Sequence, residues 1–348
     1  MPFASDATAT PKCRKENELP SIKLQCTVKA VPIAFRPSTP EDLPAIVDLL
    51  KSAFHAPSDA PFLNLDLLRW KYFYPHPEGR PPLSYVLTQD GIPIAHGCAW
   101  PSALPAQAGP IPALCLIDWV SSPAIPGMGI MLARKMGRLA PVTLSIGGSE
   151  MTQAIMPKIG FAMHGELFTY ARVLRPFRQF RTRPGPRDHR AWLRLARNAG
   201  WSLAGKAPAD VFPAPVPPDP YLARCPGAHV AAYELRRDAQ PAGSLILTRV
   251  GGQSRIAQIR TSASLSSAYA AAIRAAREEK EANELIALAH DPASAAALEA
   301  NGFKLRGRRS VYVLDPDKLL SPEDYPLPLT MLHDDMFYLN TPEYPYFT

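Results

Sequence analysis

No two of the five cysteines (Cys13, Cys26, Cys98, Cys115 and Cys225) stand in a CxxC pair or near one another. That spacing argues against a zinc knuckle and against a disulfide framework, and it fits a reducing compartment. No metal site is expected. The opening stretch MPFASDATATPKCRKENELP holds no continuous apolar core of the kind a secretory signal requires. No window approaches the ~20 apolar residues of a membrane span. A cytoplasmic protein without a membrane span is the expectation.

What is present in excess is proline, 40 of 348 residues, over twice the usual ~5% share. Proline clusters in the connections, which predicts long, stiff loops rather than broken helices. With 47% hydrophobic and 20% charged residues the chain reads as globular, and its length suffices for two ordinary domains. The net charge of +7 is local in origin: residues 171–197 hold nine arginines, no lysine and one acid, Asp188. A solvated linker and helix face is the reading of that run. An anionic acceptor, a nucleic acid or a cofactor phosphate stay open beside it, though a nucleic-acid partner is not expected.

Along the chain, residues 1–30 show no sustained period and read as a flexible leader. IAFRPSTPEDLPAIVDLLKSAF predicts a strand, a turn and a helix, with Leu43, Ile46, Leu49, Leu50 and Phe54 on one helical face. A second helix follows around LNLDLLRWKYFY, where Trp70, Tyr72, Phe73 and Tyr74 read either as core or as the wall of a pocket. Asp90-Gly91 between two apolar runs predicts a hairpin. The strand ALCLIDWV then enters SSPAIPGMGIMLARK, a glycine-bearing junction to a helix; a strand, a short helix and the strand FAMHGELFTYARVL close this first unit, 31–175. Residues 176–226 are an arginine- and proline-rich connection with one helix, RAWLRLARNAGW, and with FPAPVPPDP extended and unable to donate ladder hydrogen bonds. A second unit, 227–316, repeats the order of three strands, helix, strand, helix and strand, before an aromatic tail, 317–348.

Two readings of the glycine junction are open: a plain strand–helix turn, or a seat for phosphate. Backbone N–H groups in a first helical turn have no intrahelical partner, and glycine lets an anion come close. The ordered set FRPSTPEDLPAIVDLLKSAF, the hairpin, LIDWVSSP, PGMGIMLARK and IMPKIGF resembles the GCN5-related N-acetyltransferases (GNAT) over about residues 33–175, and 228–314 resembles a second, degenerate copy. The resemblance implies an α/β (α+β) fold of two GNAT-like units, each a mixed, mostly antiparallel sheet flanked by helices. It further implies acetyl-CoA, or another acyl-CoA, as cosubstrate, and a small-molecule or peptide amine as acceptor. Ile117 to Val120 would pair with the pantetheine arm. Trp119, Val120, Ser121, Pro126, Gly127, Met128, Gly129, Ile130 and Met131 would form the coenzyme site.

Two positions depart from the family pattern: Pro126 replaces the usual Arg or Gln, and Met131 replaces a small residue and would crowd the cradle. For a general base the candidates are Asp118, an acid in an apolar run whose pKa a dry cleft would raise; His96, able to titrate near neutrality; and Glu166. Each has a structural alternative: Asp118 as partner of backbone or an arginine, His96 as a satisfied strand histidine. The family's acid, a tyrosine before GF, falls on Met156, which has no proton to give. The second unit carries no GxG and is expected to scaffold the first. The alternatives to an acyltransferase are a non-catalytic acyl-CoA sensor and a Fem-like transferase using aminoacyl-tRNA. Acceptor identity and oligomeric state stay open.

Overall fold

The computed structural model describes residues 32–74, 83–107, 109–175 and 210–339. The leader, the helix expected in RAWLRLARNAGW, most of the arginine run and the end of the tail lie outside them. The first half runs β1 (Ile33–Pro37), α1 (Leu43–Ala53), α2 (Leu65–Phe73), β2 (Ser84–Gln89), β3 (Ile92–Leu104), β4 (Ile111–Ser121), α3 (Met128–Met136), β5 (Val142–Ile146), α4 (Glu150–Ile155) and β6 (Ala162–Val173). The second runs β7 (Val211–Val216), β8 (His229–Arg237), β9 (Gln240–Val250), β10 (Gln253–Thr261), α5 (Leu265–Glu278), β11 (Glu284–Ala289), α6 (Pro292–Ala300) and β12 (Lys304–Leu314). Asp90 and Gly91 both take positive φ, +52° and +80°, and close the β2–β3 hairpin.

FPAPV differs from its reading as a connection. It is part of β7, an edge strand antiparallel to β8. Pro213 and Pro215 are two residues apart, so both missing N–H groups fall on the same, unpaired side of the strand.

The twelve strands among the described residues form one sheet in the order β1-β2-β3-β4-β5-β12-β6-β11-β10-β9-β8-β7. The two halves exchange their last strands: β12 lies between β5 and β6, and β6 lies between β12 and β11. Within each half one parallel pair opens early. The β4–β5 ladder ends at Cys115 and Leu144, and the β10–β11 ladder ends at Arg255 and Ile286.

Alternation along β4 sends Leu114 and Leu116 to the face covered by α3, with Leu132, Met136, Met156 and Phe161. Cys115 and Ile117 go to the opposite face, under α1 and α2. There Ile46, Leu50 and Leu68 are joined by Leu167, Ile286 and Val311 from across the sheet. The C-terminal segment completes this core with Leu327, Leu329, Met331, Phe337 and Tyr338. In the second half, α5 and α6 cover the other face through Ala268, Ala272 and Leu298, joined by Phe303 just beyond α6. Cys98, Cys115 and Cys225 are buried free thiols. No helix among the described residues is long and apolar enough to cross a membrane.

The C-terminal segment is thus core rather than appendage. Replacing Phe337, which has no exposed surface, with alanine is expected to cost about 3–5 kcal/mol, read as a lower urea midpoint.

Candidate active site

The opening between β4 and β5 begins where β4 also carries a bulge. His96 faces Val120 and Cys98 faces Ile117, so β4 has one residue more than β3 over this interval. The extra residue brings Asp118 to a φ of +52°, a left-handed conformation that Asp tolerates better than most side chains. Its side chain consequently turns to the α2 face, the face Ile117 already occupies.

There it meets a buried charge. Lys71 Nζ lies 2.5 Å from Asp118 Oδ2 and 3.5 Å from Asp335 Oδ2, and the lysine side chain is only 3% exposed. Tyr72 donates its hydroxyl to Asp118 Oδ2 at 2.6 Å. Burial alone would pull the Lys71 pKa down, but Asp118 and then Asp335 outweigh it and raise it. Burial alone would raise the Asp118 pKa; the Lys71 ammonium, with the Tyr72 hydrogen bond, lowers it instead. The upward shift expected for Asp118 is therefore corrected: the carboxylate is stably ionised, which makes it a strong anchor and a weak base.

His96 stands beside this group, its ring 4.8 Å from that of Tyr72. Its Nε2 shares a hydrogen bond with Ser84 Oγ at 2.9 Å, and the Ser38 hydroxyl donates to Ser84 at 2.5 Å. Complete burial pushes the His96 pKa down to about 4. Titration near neutrality, expected from the sequence, does not hold, because the imidazole is dry and stays neutral.

Glu166 is elsewhere. Counting on from Cys115 and Leu144 brings Asp118 level with Gly147, whose N–H donates to the Ser310 carbonyl at 2.8 Å, and Ser310 faces Glu166 on β6. Three strand spacings separate Asp118 from Glu166, at least roughly 14 Å at ~4.8 Å for each paired spacing. Glu166 pairs instead with Arg308 at 3.6 Å and lines a small cleft with His164, His290 and Leu327. Asp118 and His96 are neighbours; Glu166 is not part of their group.

Beyond the bulge the chain enters α3. Gly127 is its N-cap, at φ +85° with no side-chain cap, and the first intrahelical bond is Met131 N–H to the Gly127 carbonyl at 3.0 Å. The N–H groups of Met128, Gly129 and Ile130 precede that bond and so have no intrahelical partner. Trp119 donates its indole N–H to the Gly129 carbonyl at 2.8 Å, which ties the end of β4 to this turn. A Cβ on Gly129 would stand 3.1 Å from Ser121 Oγ. Pro126 and Gly127 are exposed. The Met131 side chain, expected to crowd the turn, packs with Leu132 and Met136 against the apolar core. Met156 is fully buried in that core. Of the aromatics in α2, Trp70 and Tyr72 are core, and Trp70 stacks on Tyr221 at 4.9 Å. The second half has a matching bulge in β10 at Ala257, with no acid, and its α5 is closed by Ser264, which accepts from Ser267 N–H.

Sequence reasoning missed Lys71, Asp334 and Asp335. The signal was there, since HDD interrupts the apolar run MLHDDMFYL just as Asp118 interrupts its own. Burial and the adjacent Asp335 push the Asp334 pKa up to about 7. A carboxyl raised on folding favours the native state's protonated form, so Asp334 contributes a slope by which stability falls as pH rises from about 4 to about 7, opposite in sign to the contribution of His96. Asp334→Asn is expected to flatten that slope, giving a Tm above wild type at pH 8 and equal to it near pH 4.

No protein-family model and no curated protein matches the sequence. Solved structures do match the fold. A GCN5-related N-acetyltransferase from Anabaena variabilis aligns at 10% identity over 81% of this chain and 72% of its own, with a TM-score of 0.54. Saccharomyces cerevisiae N-myristoyltransferase with bound myristoyl-CoA aligns at 10% identity over 81% and 80%, with a TM-score of 0.53. A GCN5-related N-acetyltransferase from Kribbella flavida aligns at 12% identity over 82% and 71%, with a TM-score of 0.50. The strand order, the opening beside β4 and these alignments give one conclusion: the chain has the fold of the GCN5-related N-acetyltransferases.

Proposed function

We propose that the protein is an acyl-CoA-dependent N-acyltransferase that passes an acyl group, acetyl in the simplest case, to an amine. The observation that carries this reading is the conjunction of an edge of β4 without a ladder partner after Cys115 and the uncapped first turn of α3 immediately beyond it. An extended pantetheine arm supplies amide groups that such an edge can pair with. A diphosphate suits three N–H groups at a helix N-terminus, where partial positive charge adds to hydrogen bonding. Pro126 contributes neither an N–H nor a basic side chain, so the diphosphate contacts fall to the turn from Gly127 onward.

In this reading the neutral amine attacks the thioester carbonyl carbon. The carbonyl oxygen gains charge, and backbone N–H groups of the bulge around Trp119 and Val120 stabilise it. The carbon–sulfur bond breaks, the thiolate departs, and the proton lost by the attacking nitrogen reaches sulfur through water. Asp118 holds the bulge rather than taking that proton, since its carboxylate is already committed to Lys71 and Tyr72. His96 is too deeply buried to touch an acceptor.

Thermal-shift titration with acetyl-CoA and coenzyme A tests the binding half. A rise in Tm of several degrees at 100 times Kd is expected, since that excess contributes about 2.7 kcal/mol. Gly129→Asp, which puts a carboxylate into the turn, should abolish the rise. Thiol release with a panel of amines tests the transfer half; binding without turnover for any amine would favour the sensor reading.

A further inference from the structure

The C-terminal segment reaches the proposed acyl site through a single buried cation. Its course is fixed from both halves of the sheet. Trp100 on β3 donates to the Leu332 carbonyl at 2.9 Å. Arg255 on β10 donates to the Met336 carbonyl at 2.5 Å, and Thr248 on β9 donates its hydroxyl to the Phe337 carbonyl at 2.6 Å. These bonds seat Asp335 against Lys71, and Lys71 in turn holds Asp118 at the only strained residue of β4 among those described. The bulge backbone is thereby connected to a segment more than two hundred positions later in the chain.

We propose that Lys71 and Asp335 are positioning residues for acyl transfer: they fix the bulge at Asp118, so that the seat of the C-terminal segment governs the rate of transfer and not the affinity for coenzyme. The inference rests on the acyltransferase reading above. Its physical basis is that the coenzyme's diphosphate would be held at the first turn of α3, which is tied to β4 through Trp119 and not through Lys71, whereas the carbonyl oxygen would meet the bulge itself. Two carboxylates share one ammonium here. Removing the charge on Asp335 leaves Lys71 free to follow Asp118 alone, and the bulge loses its outer restraint.

The experiment compares wild type with Asp335→Asn, and with Asp66→Asn as a control, since Asp66 is an exposed acid on the helix that carries Lys71. In Asp335→Asn, kcat is expected to fall about 100-fold, the effect of a small misplacement of reacting groups. The Kd for coenzyme A should stay within about twofold, because the helix turn is untouched. Hydrogen exchange across residues 116–122 should quicken in the same variant. Thr248→Val loosens the seat from the far side of the sheet and should reproduce the split more weakly, with kcat down about tenfold; it carries the test if Asp335→Asn does not fold. Unchanged kcat with unchanged exchange in these variants overturns the inference alone. A loss of coenzyme affinity in step with kcat also overturns it. A wild-type chain that binds no coenzyme removes the transferase reading and this inference together.

Discussion

Burying an ammonium group without partners costs several kcal/mol, and the Lys71 side chain is almost wholly buried beneath β4. Its solvation is replaced by two carboxylates that arrive from opposite ends of the sequence, Asp118 from a bulged strand and Asp335 from the C-terminal segment. Each carboxylate is held there by the lysine. The bulge exists in a form that aims Asp118 at α2, and the segment follows a path that brings Asp335 to the same place. Removing Lys71 would leave two buried carboxylates facing each other, and removing Asp118 would leave the ammonium with only the more distant Asp335. That mutual requirement explains how a lysine can stand between Trp70 and Tyr72 in the buried face of α2.

The two halves repeat a plan and then diverge where chemistry would occur. Each has a parallel pair that opens early and a bulge on the strand beside the opening. In the first half the bulge carries Asp118 and the following helix begins at an uncapped glycine. In the second the bulge carries Ala257 and the helix is closed by Ser264. Arg255, the last β10 residue of its ladder with β11, sends its side chain to the Met336 carbonyl of the C-terminal segment. One half therefore has an acid at its bulge and a helix turn without a side-chain cap beside the open edge, and the other has neither.

Much of the fold was legible in the sequence. Helical spacing in α1, the Asp-Gly reversal and the glycines before α3 are local signals, and local signals survive into the structure. The exchange of β6 and β12 was not legible, because strand pairing between distant segments leaves no mark within either strand. At the site, Asp118 stood out as an acid among apolar residues, but the sign of its pKa shift depended on a lysine in another element. Burial without Lys71 would raise it; with Lys71 the carboxylate is stabilised. Pro213 and Pro215 misled for a related reason, since proline forbids a central strand and permits an edge one.

The exchanged strands also bear on how the chain comes into being. On a ribosome β5 is made early, yet the neighbour it needs, β12, is among the last strands to emerge. Until then the nascent first half presents a strand edge with unpaired amides, an adhesive surface for other chains. Contacts that must wait for distant sequence slow folding and lengthen that exposure. Synthesis of this protein therefore includes an interval in which a half-built sheet must be kept apart from its neighbours.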